Sequence, residues 1–274
     1  IKIQYDTVVT AYAQKKGCIK SEMSTVTYTR AFYSEEHRYD ITSAGVITKY
    51  LGENTEDNTQ IIIPETIDGI VPTEIGTSVF EGYTYLQNVT IPDTVTKIGV
   101  RSFRDCSGLE YITARNVTAV GNYAFYNCGK LKEFKGSNIN EIGQNSFANT
   151  SKLTYLDTRK VTSLGDSAFA GSGIQSLVAE NLTKSGNSTL KGSSVRFVEL
   201  PALGDIGTSV FAGCENLETV NVPNAIYIRN GAFSGCIALK EISCEKATLV
   251  GSDAFNGCTK LVTVNLPLIK NVNS

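Results

Sequence analysis

The chain has 274 residues, a formal net charge of −2, 41% hydrophobic residues and 19% charged residues. This near-neutral balance, without a run of Lys or Arg, provides neither the basic surface of a nucleic-acid-binding protein nor a polybasic membrane patch. No apolar run approaches the roughly 18 residues needed to cross a bilayer. The composition therefore predicts a globular chain with no nucleic-acid partner and no direct membrane insertion.

Residues 1–38 do not follow the periodicity of the rest of the chain. Apolar residues alternate with polar ones at Ile1, Ile3, Tyr5, Val26 and Tyr28. Alternation of this kind is typical of half-buried strands. We therefore predict that residues 1–38 form short strands and act as an N-terminal cap, or are the remnant of an upstream segment.

The remainder of the chain, residues 39–274, repeats with a period of 21–23 residues. In most units a large apolar anchor is preceded by another apolar residue five positions earlier and by a glycine four positions earlier. The anchors are Phe80, Phe103, Phe125, Phe147, Phe169, Leu190, Phe211, Phe233 and Phe255. A unit this short cannot bury its own apolar face, so the units must stack into a solenoid of about nine repeats.

Each anchor is followed by an L-x-x-V-x-I pattern with the period of a strand, as in Leu86, Val89 and Ile91. Equivalent strands one unit apart must pair in parallel about 4.8 Å apart, so nine of them predict a curved sheet roughly 40 Å long. The I-G-x-x-x-F segment predicts a turn or a short helical piece on the opposite side. Residues 95–98 favour a second short strand.

The unit I-P-x-x-V-x-x-I-G-x-x-A-F-x-x-C-x-x-L-x-x-V, which runs from Ile91 through Ile112, resembles the BspA-like class of leucine-rich repeat. Residues 45–76 resemble the usual first unit of that class. The resemblance covers residues 39–274 and implies a β-rich solenoid. In such a fold, parallel strands stack in a right-handed coil, with turns or short helical pieces opposite them. No asparagine follows the strand to form the buried side-chain ladder of ordinary leucine-rich repeats.

The last unit, residues 266–273, restarts the pattern and stops at the position where Ile-Gly would normally stand. No atypical polar repeat follows it to cover the apolar core. We therefore expect an uncapped C-terminal end. Either the native protein continues beyond it or a partner covers it, which allows end-to-end self-association.

Two columns of small residues recur along the units. The first column stands three residues after each anchor and holds cysteine in some units and serine or threonine in others. We therefore interpret its cysteines as small buried side chains rather than as disulfides or metal ligands. In the glycine column Arg229 is the exception. We predict that the glycines allow close packing of turns and that Arg229 has an ordinary backbone conformation. The cysteines of the first column are Cys106, Cys128, Cys214, Cys236 and Cys258.

The sixth unit has Ser185 in place of the apolar core residue and Leu190 in place of phenylalanine. A weak unit in a solenoid predicts a local bend or a mobile spot.

Strand alternation places the two residues that flank each central strand residue on one exposed face, which the resemblance implies is concave. In the middle units this face gathers aromatic residues beside charges of both signs, as the centres of protein interfaces do. The alternative is that they are ordinary surface aromatics that fill the sheet face. The candidate ligand-binding residues are Tyr111, Lys135, Tyr155, Asp157, Phe197 and Glu199.

The sequence contains no zinc-protease, phosphate-loop or dinucleotide motif, and its single histidine, His37, has no nucleophile motif nearby. We therefore expect a non-enzymatic protein without a cofactor or metal. The resemblance implies a secreted or cell-surface bacterial protein that adheres to a partner protein, such as a host extracellular or cell-surface protein. A structural spacer of a larger surface protein and a carbohydrate-binding module remain alternatives. The absence of tryptophan disfavours the carbohydrate-binding module, but Tyr111 and Tyr155 keep it open.

Overall fold

The computed structural model describes residues 7–11, 24–28, 38–269 and 271–272. Strands β1 (Thr7–Ala11) and β2 (Ser24–Tyr28) pair antiparallel. Val26 and Tyr28 therefore lie in a strand, as their alternation predicts. The predicted strand at residues 1–5, together with Cys18 and His37, lies outside the described residues. The capping role of residues 1–38 stays a prediction.

The repeating part begins with an antiparallel pair, β3 (Tyr39–Ile41) and β4 (Val46–Tyr50). From there the chain alternates between three-residue and two-residue strands until residue 142, and again from residue 176. The strands that follow β4 are β5 (Gln60–Ile62), β6 (Glu74–Ile75), β7 (Asn88–Thr90), β8 (Lys97–Ile98), β9 (Tyr111–Thr113), β10 (Ala119–Val120), β11 (Glu133–Lys135), β12 (Glu141–Ile142), β13 (Ser163–Leu164), β14 (Ser176–Val178), β15 (Lys184–Ser185), β16 (Phe197–Glu199), β17 (Asp205–Ile206), β18 (Thr219–Asn221), β19 (Tyr227–Ile228), β20 (Glu241–Ser243), β21 (Leu249–Val250), β22 (Thr263–Asn265) and β23 (Asn271–Val272).

These strands form a parallel solenoid of about nine turns, as the repeat predicts. Strands one unit apart pair in register, so that Tyr111 lies opposite Glu133. The three-residue strands from β5 onwards form what we call the first ladder, and β3 and β4 with the two-residue strands form the second ladder. The predicted strand near residues 95–98 is confirmed as β8.

The described residues contain no α-helix, so the segments opposite the first ladder are turns and not the short helical pieces that the pattern allowed. The backbone explains why. Two positions in each unit have left-handed φ angles, for example Ser167 at 55° and Gly171 at 63°. A right-handed helix cannot continue through such residues. Correspondingly, the described chain offers no helix with the length and apolarity to span a bilayer.

The anchor phenylalanines fill the core as a stack of rings. Phe103 and Phe125 have centroids 5.2 Å apart with an interplanar angle of 4°. The same arrangement joins Phe80 to Phe169 through successive units and resumes from Phe211 to Phe255. Leu190 interrupts the stack in the sixth unit, where the sequence lacks phenylalanine. Stacking follows from the repeat, because units about 4.8 Å apart place equivalent rings in contact.

The glycine column packs turn against turn, as predicted. None of its members has a positive φ angle, and a Cβ on Gly99 would lie 2.6 Å from the Ile75 carbonyl oxygen. Arg229 also has an ordinary backbone conformation. Its guanidinium binds Asp205 at 2.7 Å and stacks over the ring of Tyr227 at 4.7 Å.

The cysteine column lies in the turns beside the phenylalanine stack. Cys106, Cys128, Cys214 and Cys236 are buried and Cys258 is half-buried; all five are free thiols. Each donates a hydrogen bond to a backbone carbonyl of the preceding unit, as Cys128 does to Phe103 O at 3.1 Å. The column therefore consists of small side chains that also tie neighbouring units together.

The strands of the first ladder do not form the single curved sheet that the repeat predicts, because the ladder is interrupted. It forms separate sheets of four, three and two strands, and residues 154–157 form no strand. The second ladder is divided into sheets of eight and four strands between β15 and β17. Because hydrogen bonding within each ladder fails at different units, the two faces of the solenoid are interrupted at different places.

Candidate functional site

The six candidate residues lie on the first-ladder face but in different sheets. Tyr111 and Lys135 belong to the four-stranded sheet, and Phe197 and Glu199 belong to the three-stranded sheet. The other two candidates, Tyr155 and Asp157, lie in the unit between these sheets. The exposed fractions are 41% for Tyr111, 59% for Tyr155 and 38% for Phe197. The structure thus exposes the aromatic candidates and centres them on the first interruption of the ladder.

At this interruption, no backbone hydrogen bond joins residues 133–136 to residues 154–157 within the described chain. One unit earlier the ladder is intact, since Ala114 N donates to Lys135 O at 2.9 Å. The second ladder also continues past this point, because β12 pairs with β13. The two units therefore stay joined on one side and part on the other, which leaves a gap in the first ladder.

The gap occurs beside the bulkiest residue of its core column. Phe134 occupies the central strand position that Val89, Ile112 and Leu156 occupy in nearby units. It is buried, and its ring meets Phe147 of the next unit edge-on, with centroids 5.9 Å apart. Smaller side chains at this position leave room for neighbouring strands to approach closely. The phenylalanine ring fills that room.

On the far side of the gap, a threonine replaces part of the missing backbone pairing. Thr158 donates from its hydroxyl to Val178 O at 2.8 Å and accepts from Val178 N at 3.3 Å. Gln175 N donates to Thr154 O at 3.0 Å. Residues 154–158 are therefore attached to the following unit and open towards the preceding one.

A solvent-open cavity of about 720 Å³ occupies the gap. Its charged side chains are paired at the rim: Lys135 with Glu133 at 3.4 Å, and Asp157 with Arg159 at 2.7 Å. The Arg159 hydrogen bonds hold the pKa of the Asp157 carboxyl below its ordinary value. The lining residues are Arg115, Asn116, Lys132, Glu133, Phe134, Lys135, Gly136, Ser137, Asn138, Thr154, Tyr155 and Asp157.

The structure brings four of the six candidates together. Lys135, Tyr155 and Asp157 line the cavity, and Tyr111 lies beside it with the Lys132 ammonium 5.5 Å from the centre of its ring. Hydrogen bonding to Glu110 raises the pKa of that ammonium. Phe197 and Glu199 do not line the cavity.

Sequence reasoning missed two contributors to this site. Phe134 stands out in its column as the one phenylalanine among aliphatic residues, and that exception was the available signal. The role of Arg159 has no comparable signal, because its side chain reaches Asp157 only through the conformation of the gap. An exposed arginine two residues from an aspartate is otherwise unremarkable.

A second cavity, of about 470 Å³, opens where the second ladder is divided. The division falls at the weak sixth unit, where Ser185 replaces an apolar core residue and its hydroxyl lies 3.0 Å from that of Thr189. The residues that line this cavity are Thr183, Lys184, Ser185, Asn187, Asp205, Gly207, Thr208 and Arg229.

The part of the chain that the structure describes has no group of three or more His, Cys, Asp or Glu side chains placed to hold a metal ion. Its buried thiols are held in the neutral form: burial raises the pKa of Cys106 to about 12 and that of Cys214 to about 11. The side chains that line the gap offer hydrogen bonding, charge pairing and aromatic contact.

Comparison with known proteins agrees with this architecture. A family model described as "BspA type Leucine rich repeat region" matches residues 73–196 and 162–274, with six copies. No curated protein sequence matches the chain.

Three solved structures illustrate the likeness. The T. pallidum leucine-rich repeat protein is 22% identical with a TM-score of 0.50, covering 82% of this chain and 87% of its own. A leucine-rich cell surface protein from Faecalibacterium prausnitzii is 19% identical with a TM-score of 0.42, covering 84% and 92%. The pneumococcal vaccine antigen PcpA is 19% identical with a TM-score of 0.40, covering 84% and 83%.

Proposed function

The chain belongs to the BspA-type leucine-rich repeat family, and from that membership we propose that it is a secreted or cell-surface module that binds a protein partner. Binding occurs through the first-ladder face, which the family's fold makes concave, and needs no catalytic step or cofactor. The partner class is a host extracellular or cell-surface protein, and the biological role is adhesion.

The observation that carries the proposal is the gap in the first ladder beside Tyr155. The first ladder is interrupted again between β18 and β20, whereas the gap beside Tyr155 is a concave site flanked by exposed aromatic rings and charges of both signs. Concavity, aromatic anchors and a polar rim are the features that concentrate binding energy in protein interfaces. Tyr155 is the most exposed aromatic candidate on this face and provides the anchor.

Binding of the purified chain to a panel of purified host matrix and cell-surface proteins tests the proposal. The test variant is Tyr155→Ala/Phe197→Ala. The matched control is Tyr227→Ala, on the second ladder. The exposed fraction of Tyr227, 39%, is similar to that of Phe197. We expect the double variant to raise the dissociation constant at least about tenfold and the control to leave it unchanged.

Equal binding by the double variant and the native chain would reject the first-ladder site. Failure to bind any protein of the panel would instead favour the spacer role. A glycan array run in parallel distinguishes carbohydrate binding, because a glycan ligand would also depend on Tyr155 as a stacking platform.

A further inference from the structure

At the gap, some main-chain groups of β11 have no backbone partner among the described residues, where a neighbouring strand would otherwise provide one. Alternate residues of a parallel strand bond to opposite neighbours. Strand β11 pairs with β9 through Glu133 and Lys135, so the N–H and C=O of Phe134 face the gap. The N–H of Gly136 also faces it, because the equivalent Ala114 N bonds to the next unit. Groups of this kind are a template for an added extended chain.

The charge around the gap selects the kind of chain. The side chains that line the cavity comprise three basic residues, Arg115, Lys132 and Lys135, and two acidic residues, Glu133 and Asp157, a charge of +1 in a chain whose net charge is −2. The exposed cations Arg115, Lys132 and Lys135 line the cavity. An acidic segment is therefore attracted to this site more strongly than to the rest of the surface.

The geometry of Phe134 explains why the site exists at this unit. The ring lies against Gly136, whose added Cβ would come within 2.8 Å of the ring atom Cε1. It also reaches across the junction to Phe147. The side chain of Phe134 is thus placed to act as a positioning group that sets the separation of the two units on the first-ladder side.

We propose that this gap is the docking slot for an extended, acidic segment of the partner protein, which bonds to the open main chain around Phe134 and pairs its carboxylates with Lys132 and Lys135. The proposal deepens the proposed function by naming the chemistry of the bound segment. It also gives Phe134 the role of keeping the slot open.

The test measures peptide binding by calorimetry with an acetylated and amidated twelve-residue peptide that alternates Glu and Thr. Two comparison peptides carry Gln or Lys in place of Glu. We expect the native chain to bind the Glu peptide at least about tenfold more tightly than either comparison peptide.

Two variants separate the slot from general attraction of charge. Lys132→Gln/Lys135→Gln removes the cations of the slot, and Lys240→Gln, at the position equivalent to Lys132 in a distant unit, is its control. Phe134→Leu allows the ladder to close, and Ile242→Leu makes a similar change in the same core column. We expect both slot variants to lose Glu-peptide binding by about tenfold or more, and both controls to retain it.

Amide hydrogen exchange provides a readout that needs no ligand. In Phe134→Leu the amides of Phe134, Gly136, Tyr155 and Asp157 should gain protection, because closure of the ladder gives them backbone partners. If protection at these amides stays unchanged, Phe134 does not hold the slot open and that part of the proposal is wrong.

The remaining outcomes overturn the docking slot itself. No Glu-peptide binding by the native chain, equal binding of the Gln peptide, or undiminished binding by Phe134→Leu would each reject it. Host-protein binding that depends on Tyr155 and Phe197 would survive any of these results, so failure of the slot is distinguishable from failure of the proposed function.

Discussion

Single residues set how closely successive units of the solenoid approach one another. Gly99 leaves no room for a side chain, since its added Cβ would lie 2.6 Å from the Ile75 carbonyl oxygen. Gly204, by contrast, has no heavy atom within 4 Å of the same position, and its φ is ordinary. Glycine is therefore required at some junctions for packing and is dispensable at others.

Gly99→Ala is expected to destabilise the fold by about 1–3 kcal/mol, because the neighbouring backbone must move to accept the methyl group. Gly204→Ala serves as the control. It should leave the free energy of unfolding unchanged or raise it by up to about 1 kcal/mol, since it only restricts the unfolded chain. Denaturant unfolding measures both. Equal effects of the two substitutions would contradict turn packing as the reason for the glycine column.

Thiol reactivity distinguishes the members of the cysteine column. Burial raises the pKa of Cys106 to about 12, and burial also holds the pKa of Cys128 well above its ordinary value. Cys258 is only half-buried, and the neighbouring Cys236 thiol lowers its pKa. Alkylation requires the thiolate, so the thiols should differ strongly in rate.

In a Cys18→Ser variant at neutral pH, iodoacetamide should modify Cys258 first and Cys106 and Cys128 last, as followed by mass spectrometry. Alkylation of Cys128 as fast as Cys258 would show that the turns open readily.

A raised pKa favours the neutral thiol of Cys106 in the folded chain. The stabilisation from Cys106 is therefore complete below pH 9, the ordinary pKa of the thiol, and is lost as pH rises towards 12.

At the level of elements, hydrogen bonding in the two ladders fails for different reasons. The first ladder opens beside Phe134, the largest side chain of its core column, and opens again between β18 and β20. The second ladder opens beside Ser185, where an apolar side chain is missing. We interpret the openings beside Phe134 and Ser185 as consequences of packing volume, because the core column is overfilled at the first and underfilled at the second.

Ser185→Ile is expected to strengthen the sixth unit. An apolar side chain at this position, like Leu164 and Ile206 in adjacent units, should stabilise the fold by about 1 kcal/mol and protect the amides of β15 and β17 from exchange. Lys184→Ile, at the neighbouring exposed position, is the control and should not do so. A loss of stability in Ser185→Ile would mean that the bond with Thr189 matters more than the missing apolar contact.

At the scale of the whole molecule, each unit contacts mainly the units before and after it. A solenoid of this kind gains its stability from interfaces between neighbours, so damage to one unit should spread only a short distance. Phe125 is a suitable probe because it is buried between the rings of Phe103 and Phe147.

Phe125→Ala should cost about 3–5 kcal/mol, because it removes a buried ring and breaks the stack. Hydrogen exchange should show the loss of protection in β8, β10 and β12, while β18 and β20 keep theirs under conditions that favour the folded chain. A uniform loss along the whole chain would contradict nearest-neighbour stabilisation and indicate one cooperative unit instead.

Much of this architecture could be predicted from the sequence because a repeat imposes the same contacts at every unit. The period located the phenylalanine stack, the two ladders and the packing role of the glycine column, including the ordinary backbone of Arg229. The exposed aromatic positions on the strand face followed from alternation. The weak sixth unit was visible in Ser185 and Leu190, and the second ladder is indeed divided there.

Continuity of the first ladder was decided only by the tertiary structure. Alternation and period treat Phe134 as one more apolar residue in its column, and they cannot measure whether its ring fits between two adjacent units. The same limit applies to the pairing of Asp157 with Arg159 and to the grouping of Lys135 with Tyr155 around one cavity. Sequence patterns specify which face a side chain occupies. The volume of the packed side chains sets how far apart two units stand, and the gap arises from that distance.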